Sequence, residues 1–545
     1  MRKLLLFAVT AAAVAQAPIQ VTTRLVQVAV VVRDKHGAVA DLTKSEFEIL
    51  DKGKSRQIAS FSVARASDRV PRASLPPNTF SNRLDRQSES PVAATVLLFD
   101  SLNTKFKDQA DARRQVLTFL KALDPETPIA IYALGNNLRI LHDFTQDQAS
   151  LTRALERYRN STSTALANSQ GDPKAASAAN ITAPGPATVP APDTADLVSQ
   201  ILEPLQEYSL DRRIAITLSA MDAIATRMAG VPGRKNLIWI SGAFPLSVGF
   251  DRGGLSGAGQ RAGTYSGPLK DAAMAIDQAN VSIYPVDARG LLVSNAVRTE
   301  MPALHNQTGL GQATNMPTPE AMAGNREIET MQLLADWTGG KAFYNTNDIR
   351  GAVMQATEDA EVTYTLGFYA DEKDLDGSYH ELKVKVARKG TDTRYRRGYF
   401  ATPLIAVDSQ PASQILKNVL SSPADATALG LTASLTPDPA HAGSFILALG
   451  MDMQNLSLAA KNSRWSDMLN FVIVQQADAG LVLDAVQNSI KIDVTDENRD
   501  KLLKEGLTLK VAITPAPGLS QIRVAVMDQA TGNIGSLRIV PPAKP

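Results

Sequence analysis

The residues of this chain best suited to chemistry are Asp100-Ser101-Leu102-Asn103-Thr104, a carboxylate followed by short polar side chains whose oxygens suit a hard cation such as Mg2+ or Ca2+. The apolar run from Ala94 to Phe99 places Asp100 at the carboxyl end of a predicted strand, where open α/β sheets bind ligands. A second acidic run, Glu372, Asp374, Asp376 and Gly377, imitates the start of an EF-hand loop. Its twelfth position is Lys383 and its flanks read as strands, so a polar hairpin turn is expected instead. Gly309-Leu310-Gly311 carries Thr314 where a dinucleotide loop needs a third glycine, and Gly254-Leu255-Ser256-Gly257 carries Ala258 where a nucleophile elbow needs one. The five histidines, His36, His142, His305, His380 and His441, form no His-Glu-x-x-His pattern, and surface or turn positions are expected for all of them. With no cysteine, thiol nucleophiles, zinc-thiolate sites, iron-sulfur clusters and disulfides are excluded. No catalytic residue is assigned, and no enzyme activity is expected.

These residues need elements to hold them. At 545 residues the chain is long enough for about three or four domains of roughly 150 residues each. Met1 to Ala17 reads as a secretory signal, with Arg2 and Lys3 before an apolar run from Leu4 and then small residues. Cleavage follows Ala15 or Ala17. Ala13-Val14-Ala15 is the better site, because a cut after Ala17 would leave Pro18 at the new terminus. There is no lipoprotein cysteine, and no later segment reaches membrane length, so a secreted or periplasmic protein without membrane insertion is expected. The 56 basic residues less Arg2 and Lys3 leave 54 against 55 acidic ones, a net charge of −1 that offers nothing to nucleic acid.

Residues 20–63 read as a β module, and the proline-bearing stretch 64–92 as a linker. From 93 to 360 apolar strands alternate with amphipathic helices, the pattern of a doubly wound, mostly parallel sheet. Residues 160–196, rich in Ala, Ser, Thr and Pro, read as a disordered insertion. Helix is expected over 211–228. Residues 364–400 return to β as a hairpin of Tyr364 to Tyr369 with Tyr379 to Val386 plus one more strand, and 407–545 reads as a C-terminal β-sandwich. The basic cluster Arg394, Arg396 and Arg397 reads as a solvated strand edge. Arg234 and Lys235 precede a buried strand, and whether they bond to a helix end is left open.

Several phrases in order resemble a von Willebrand factor type A domain, more closely the bacterial secreted "VWFA-related domain" proteins: Val96 to Asp100 with its polar loop, Pro232 to Gly242, Ser282 to Gly290, and Thr338-Gly339-Gly340-Lys341-Ala342-Phe343. Val28 to Phe61, Tyr364 to Tyr369 and Arg396 to Phe400 resemble the β prelude and close of that group, and the likeness spans roughly residues 20–400. It implies a Rossmann-like type A domain, here flanked by β-sandwich modules; because the β segments before and after bracket that domain, 20–63 is expected to pack with 364–400. It also implies a metal-ion-dependent adhesion site of the form Asp-x-Ser-x-Ser, completed by a Thr and an Asp from later loops. Asp100 matches, Leu102 replaces the first Ser, Thr104 replaces the second, and Gly242 stands where the later Asp is expected; the loop Thr is Thr162 or Thr164. Leucine has no oxygen to give and the lost carboxylate removes a charge, so the loop reads as a degenerate site in which Asp100, Asn103 and Thr104 are the remaining candidate ligands for Mg2+ or Ca2+. The implied function is protein-protein binding or adhesion at the cell envelope, with a structural or scaffolding envelope component as the alternative; the partner is unnamed.

Overall fold

The computed structural model describes residues 24–65, 75–83, 93–122, 128–159, 193–231, 233–245, 272–291, 319–370, 372–376, 378–401, 412–454, 456, 458–461 and 464–541. The expected signal segment, most of the expected insertion, Thr162, Thr164, His305 and the glycine motifs around Ser256 and Gly309 lie outside the described residues. The first strands are β1 (Arg24–Asp34), β2 (Gly37–Ala38), β3 (Phe47–Asp51), β4 (Lys54–Arg56), β5 (Ser60–Arg65) and β6 (Thr79–Ser81). Then come β7 (Ala93–Asp100), α1 (Phe106–Leu120), β8 (Ile129–Leu134), β9 (Leu138–Thr145), α2 (Gln148–Arg157), α3 (Asp193–Met228), β10 (Arg234–Ser241), α4 (272–279), β11 (Val281–Asp287), α5 (Pro319–Thr338) and α6 (Ile349–Glu358). The chain continues with β12 (Val362–Ala370), β13 (Tyr379–Val386), β14 (Asp392–Arg394), β15 (Gly398–Phe400), α7 (Ala412–Ser421), β16 (Leu431–Pro437), β17 (Phe445–Met451), β18 (Ala459–Lys461), β19 (Arg464–Gln476) and β20 (Val482–Thr495). It closes with α8 (Asp496–Glu505), β21 (Leu507–Ile513), β22 (Gln521–Asp528) and β23 (Ile534–Ile539).

The central sheet runs β11-β10-β7-β8-β9, parallel except for β9 at its edge. The inner strands β7 and β8, the second half of β10 and most of β11 are apolar because both faces are covered, whereas the edge strand β9 mixes polar and apolar residues. Val96 and Leu98 of β7, with Leu237 and Trp239 of β10, face α3 and α5; Leu97, Phe99, Ile238 and Ile240 face α1, α2 and α6. The other four sheets among the described residues are antiparallel, so the chain as a whole is mixed α/β with several sheets.

Two of those sheets, β14-β1-β12-β5 and β15-β13-β3-β4, share one apolar core that includes Val28, Val30, Ile49, Tyr364, Leu366 and Leu382. The expected hairpin of the strands around Tyr364 and Tyr379 does not form: β12 pairs with β1 and β5, while β13 pairs with β3 and β15 in the facing sheet. Both strands turn apolar side chains to the same core, so the acidic connection between them crosses from one sheet to the other. Within that connection Asp374 pairs with Arg56, and Asp376 accepts the Ser378 N–H at 2.8 Å.

His380 is not at the surface or in a turn. It is the inward residue of alternating β13, 2% exposed, with Nδ1 3.0 Å from Asp51 Oδ1. His36 and His441 do stand in exposed turns, beside Asp34 and Asp438.

In the C-terminal part, sheet β21-β17-β16-β6 shares a core with the sheet of β18, β19, β20, β22 and β23. The segment read as a linker therefore contributes β6: Thr79, Phe80 and Ser81 pair with Ser434, Ala433 and Thr432 of β16. Phe80 packs against that core, and the Asn82 side chain bonds the Ala426 and Leu429 carbonyls at 2.6 and 2.9 Å. At the end of the β19–β22 ladder Asp467 lies against Asp528, whose carboxylate accepts the Thr531 hydroxyl at 2.6 Å and the Ala530 N–H at 2.8 Å. Burial first, and then the Asp528 charge, push the Asp467 carboxyl up to about 7. A folded pKa above the unfolded one means the folded state holds this proton more tightly, so the stability it contributes is present at low pH and is lost as pH rises through about 7. Asp467→Asn is expected to raise stability at pH 8 by about 1 kcal/mol, a value discounted for the half-exposed site, with the gain vanishing near pH 4. Urea denaturation at the two pH values checks this; a gain of equal size at both refutes it.

Candidate functional site

Asp100 ends β7 beside Ser241, which ends β10, at the point where the sheet's strand order reverses. The Asp100 side chain lies on the α3 face of the sheet, as the alternation from Val96 and Leu98 requires. It is wholly buried, and donors surround it. Oδ2 accepts from Asn103 Nδ2 at 2.8 Å, Ser241 Oγ at 2.8 Å and Trp239 Nε1 at 3.0 Å; Oδ1 accepts the Asn103 backbone N–H at 2.9 Å. Burial raises its pKa, and the Asn103, Ser241 and Trp239 hydrogen bonds oppose that rise.

The structure thus brings the three sequence-predicted ligands together but turns them toward protein partners. Asn103 Oδ1 accepts from Arg213 Nε at 2.9 Å, and Asn103 Nδ2 reaches Thr217 Oγ1 at 3.2 Å. Thr104 Oγ1 accepts the Gly242 N–H at 2.8 Å, and a Cβ at Gly242 would stand 3.3 Å from the Thr104 Cα and Cγ2 atoms. Leu102 is buried and supplies no oxygen. The Arg213 guanidinium is itself buried; burial lowers its pKa while the Asp100 and Glu327 charges oppose the fall. A divalent ion needs lone pairs converging on one point. Here N–H and O–H donors and a guanidinium converge instead, so the residues present do not fit Mg2+ or Ca2+.

A neighbouring carboxylate is paired directly with a cation. Asp287, in register with Ser241 at the end of β11, accepts Arg289 Nε at 2.9 Å and Nη2 at 2.8 Å in a bidentate pair, and Arg289 also pairs with Glu327. The loop after Asp100 is closed over: Ser101, Leu102, Asn103 and Thr104 are all buried, and Gln109 Nε2 of α1 holds the Thr104 carbonyl at 2.7 Å. Among the described residues no group of three or more His, Asp or Glu side chains is placed to hold a metal ion.

Sequence reasoning missed Arg213, Thr217, Trp239 and Arg289. Arg213 and Thr217 stand four residues apart on one face of α3, the only local signal of a shared target. The basic cluster is also not a solvated edge: Arg394 bonds buried Asp359 at 2.5 Å and Arg396 pairs with buried Asp277, because both side chains turn inward between the α/β and β parts; Arg397 alone is exposed. Arg234 and Lys235 do reach helix ends, the Gly339 carbonyl just past α5 and the Ala279 carbonyl closing α4, each at 2.8 Å.

No family model matches the chain, and no curated protein does. Among solved structures it is similar to an aerotolerance-related membrane protein from Bacteroides fragilis NCTC 9343, with 12% identity over 49% of this chain and 98% of that one and a TM-score of 0.23. It is similar to BatB from Bacteroides thetaiotaomicron, with 13% identity over 48% and 96% and a TM-score of 0.20. It is also similar to a von Willebrand factor type A protein from Catenulispora acidiphila, with 8% identity over 89% and 74% and a TM-score of 0.24. At such scores these likenesses carry no argument about activity, and the fold rests on the strand order and register above. Among solved structures the chain is thus similar to von Willebrand factor type A domain proteins.

Proposed function

We propose that this chain is an exported, non-catalytic protein-binding or adhesion protein of the cell envelope whose type A-like domain works without a divalent ion, flanked by β-sandwich modules. The observation that carries the metal-independent part is the Asp100 carboxylate, which accepts four hydrogen bonds from Asn103, Trp239 and Ser241. Export rests on the basic, apolar and small-residue order of Met1 to Ala17, and among the described residues no helix is long and apolar enough to cross a membrane.

Titration calorimetry of the mature protein with Mg2+ or Ca2+ is expected to give no heat and no change in melting temperature, and capture of partners from envelope extracts is expected to be the same with and without chelator. Saturable heat together with chelator-sensitive capture would overturn the reading. A scaffolding role is favoured by one observation, the burial of residues 101–104, which removes that loop from direct contact with a partner. Capture that yields no specific partner from extracts, with the protein held instead in the salt-resistant envelope fraction, decides for the scaffold.

A further inference from the structure

Between the end of α5 and strand β14 lies a cleft of about 480 Å3, within the size range of ligand sites. Its walls come from the α/β part and the first β part, and they are fastened together. Arg396 pairs with Asp277 and donates to the Gln27 carbonyl at 2.6 Å, and the Arg397 N–H bonds the Asp336 carbonyl at 3.2 Å. Gly339, at φ 78°, allows this approach, since a Cβ there would stand 2.6 Å from the Arg396 nitrogen. A cleft held in this way needs little reorganisation to bind.

Its charged lining is Lys341, Arg394 and Arg397 against Asp336 and Asp392, a net charge of +1. Arg394 is committed to Asp359 and Asp392. The side-chain hydrogen bonds of the other two cations go to neutral oxygens rather than to a carboxylate. The Lys341 ammonium donates to the neutral Gln355 amide oxygen at 2.8 Å; burial, aided by the Arg394 charge, lowers its pKa, and the Asp359 and Asp392 charges oppose the fall. The exposed Arg397 guanidinium lies 5.1 Å from the Tyr395 ring centroid and bonds the Tyr395 hydroxyl at 3.1 Å, which leaves further N–H groups of its planar fork for an anion. The α5 carboxyl end explains an attraction for cations in general. It does not explain two in one cavity whose hydrogen bonds go to neutral oxygens. A single excess positive charge suits a carboxylate better than a phosphate dianion.

We propose that this cleft binds a carboxylate of an acidic peptide segment, with Lys341 and Arg397 as its counter-ions; this names a partner chemistry for the protein-binding reading above and rests on it. Calorimetry of the full chain with hexaglutamate is expected to show saturable binding that weakens about tenfold in the double variant Lys341→Gln/Arg397→Gln, with less loss for Arg397→Gln alone. Arg397→Gln changes an exposed side chain and keeps the test open should the double variant not fold, and Lys341→Arg should restore part of the binding. No heat with hexaglutamate, undiminished binding by the folded variants, or equal binding of inorganic phosphate overturns the proposal, and equal binding of glutarate overturns its peptide part. Partner capture from envelope extracts is read separately. Hexaglutamate binding without capture refutes the protein-binding reading and leaves the cleft standing, whereas capture unchanged in the double variant refutes the cleft alone.

Discussion

Asp100→Ala is expected to destabilise the α/β part by about 3–4 kcal/mol and to lower its melting temperature by about 10 °C. The loss comes from groups left behind. Trp239 Nε1 is a donor only, is buried, and has no second acceptor among the described residues, whereas Ser241 Oγ keeps the Ala243 carbonyl at 2.7 Å and Asn103 Nδ2 keeps Thr217. Each buried donor left unpaired costs about 1–3 kcal/mol, and the nearby Arg213 loses an anion that favours its charge. Asp100→Asn, which keeps an acceptor oxygen, should lose about half as much. Calorimetric melting of the three proteins measures this. A loss under about 1 kcal/mol for the alanine variant would mean that the carboxylate is not the structural latch described here.

The second large effect is expected at Asp359, the residue that caps the carboxyl end of α6 and joins the α/β part to the first β part. Its buried carboxylate accepts Arg394 Nη1 of β14 at 2.5 Å, Arg33 Nη1 of β1 at 3.4 Å and the Tyr284 hydroxyl of β11 at 2.9 Å. Tyr284 in turn accepts from buried Arg234 at 2.6 Å. Removing one member of a buried ionic cluster costs up to about 3–5 kcal/mol, and here Arg394 is left with the exposed Asp392 alone and Arg33 with the part-exposed Glu358 alone. Asp359→Ala should lower the denaturation midpoint accordingly and let the first β part unfold in a separate, earlier step. Coincident transitions followed by fluorescence and circular dichroism, with a midpoint unchanged from the parent chain, would rule this out.

Much of the central sheet is legible because its strands announce their burial. The runs Ala94 to Phe99, Asn236 to Ser241 and Val281 to Val286 lack regular polar alternation, and their shortness and their alternation with amphipathic helices mark them as strands covered on both faces. Pairing partners are less legible. Tyr364 to Tyr369 and Tyr379 to Val386 alternate well enough to name them as strands, but alternation marks only which face is buried, so the facing sheets of β12 and β13 look like a hairpin. Thr79, Phe80 and Ser81 are too few to stand out among prolines, and β6 forms because β16, far along the chain, offers it an edge. Helix α8 was not anticipated either, although Thr495 at its start and Gly506 at φ 78° after its end are ordinary boundary residues.

The loop after Asp100 shows the same division. Against the motif that the resemblance implies, Leu102 and Gly242 lack an oxygen and a carboxylate; that Asp100 stands at a carboxyl strand end depends on local pattern only. What fills the vacated role was decided in three dimensions. Arg213 and Thr217 arrive on a helix more than a hundred residues away, and Trp239 and Ser241 arrive on the neighbouring strand. A buried carboxylate must find donors or a cation wherever the fold supplies them, and packing of α3 on the sheet, which no local spacing encodes, supplied donors together with the Arg213 cation.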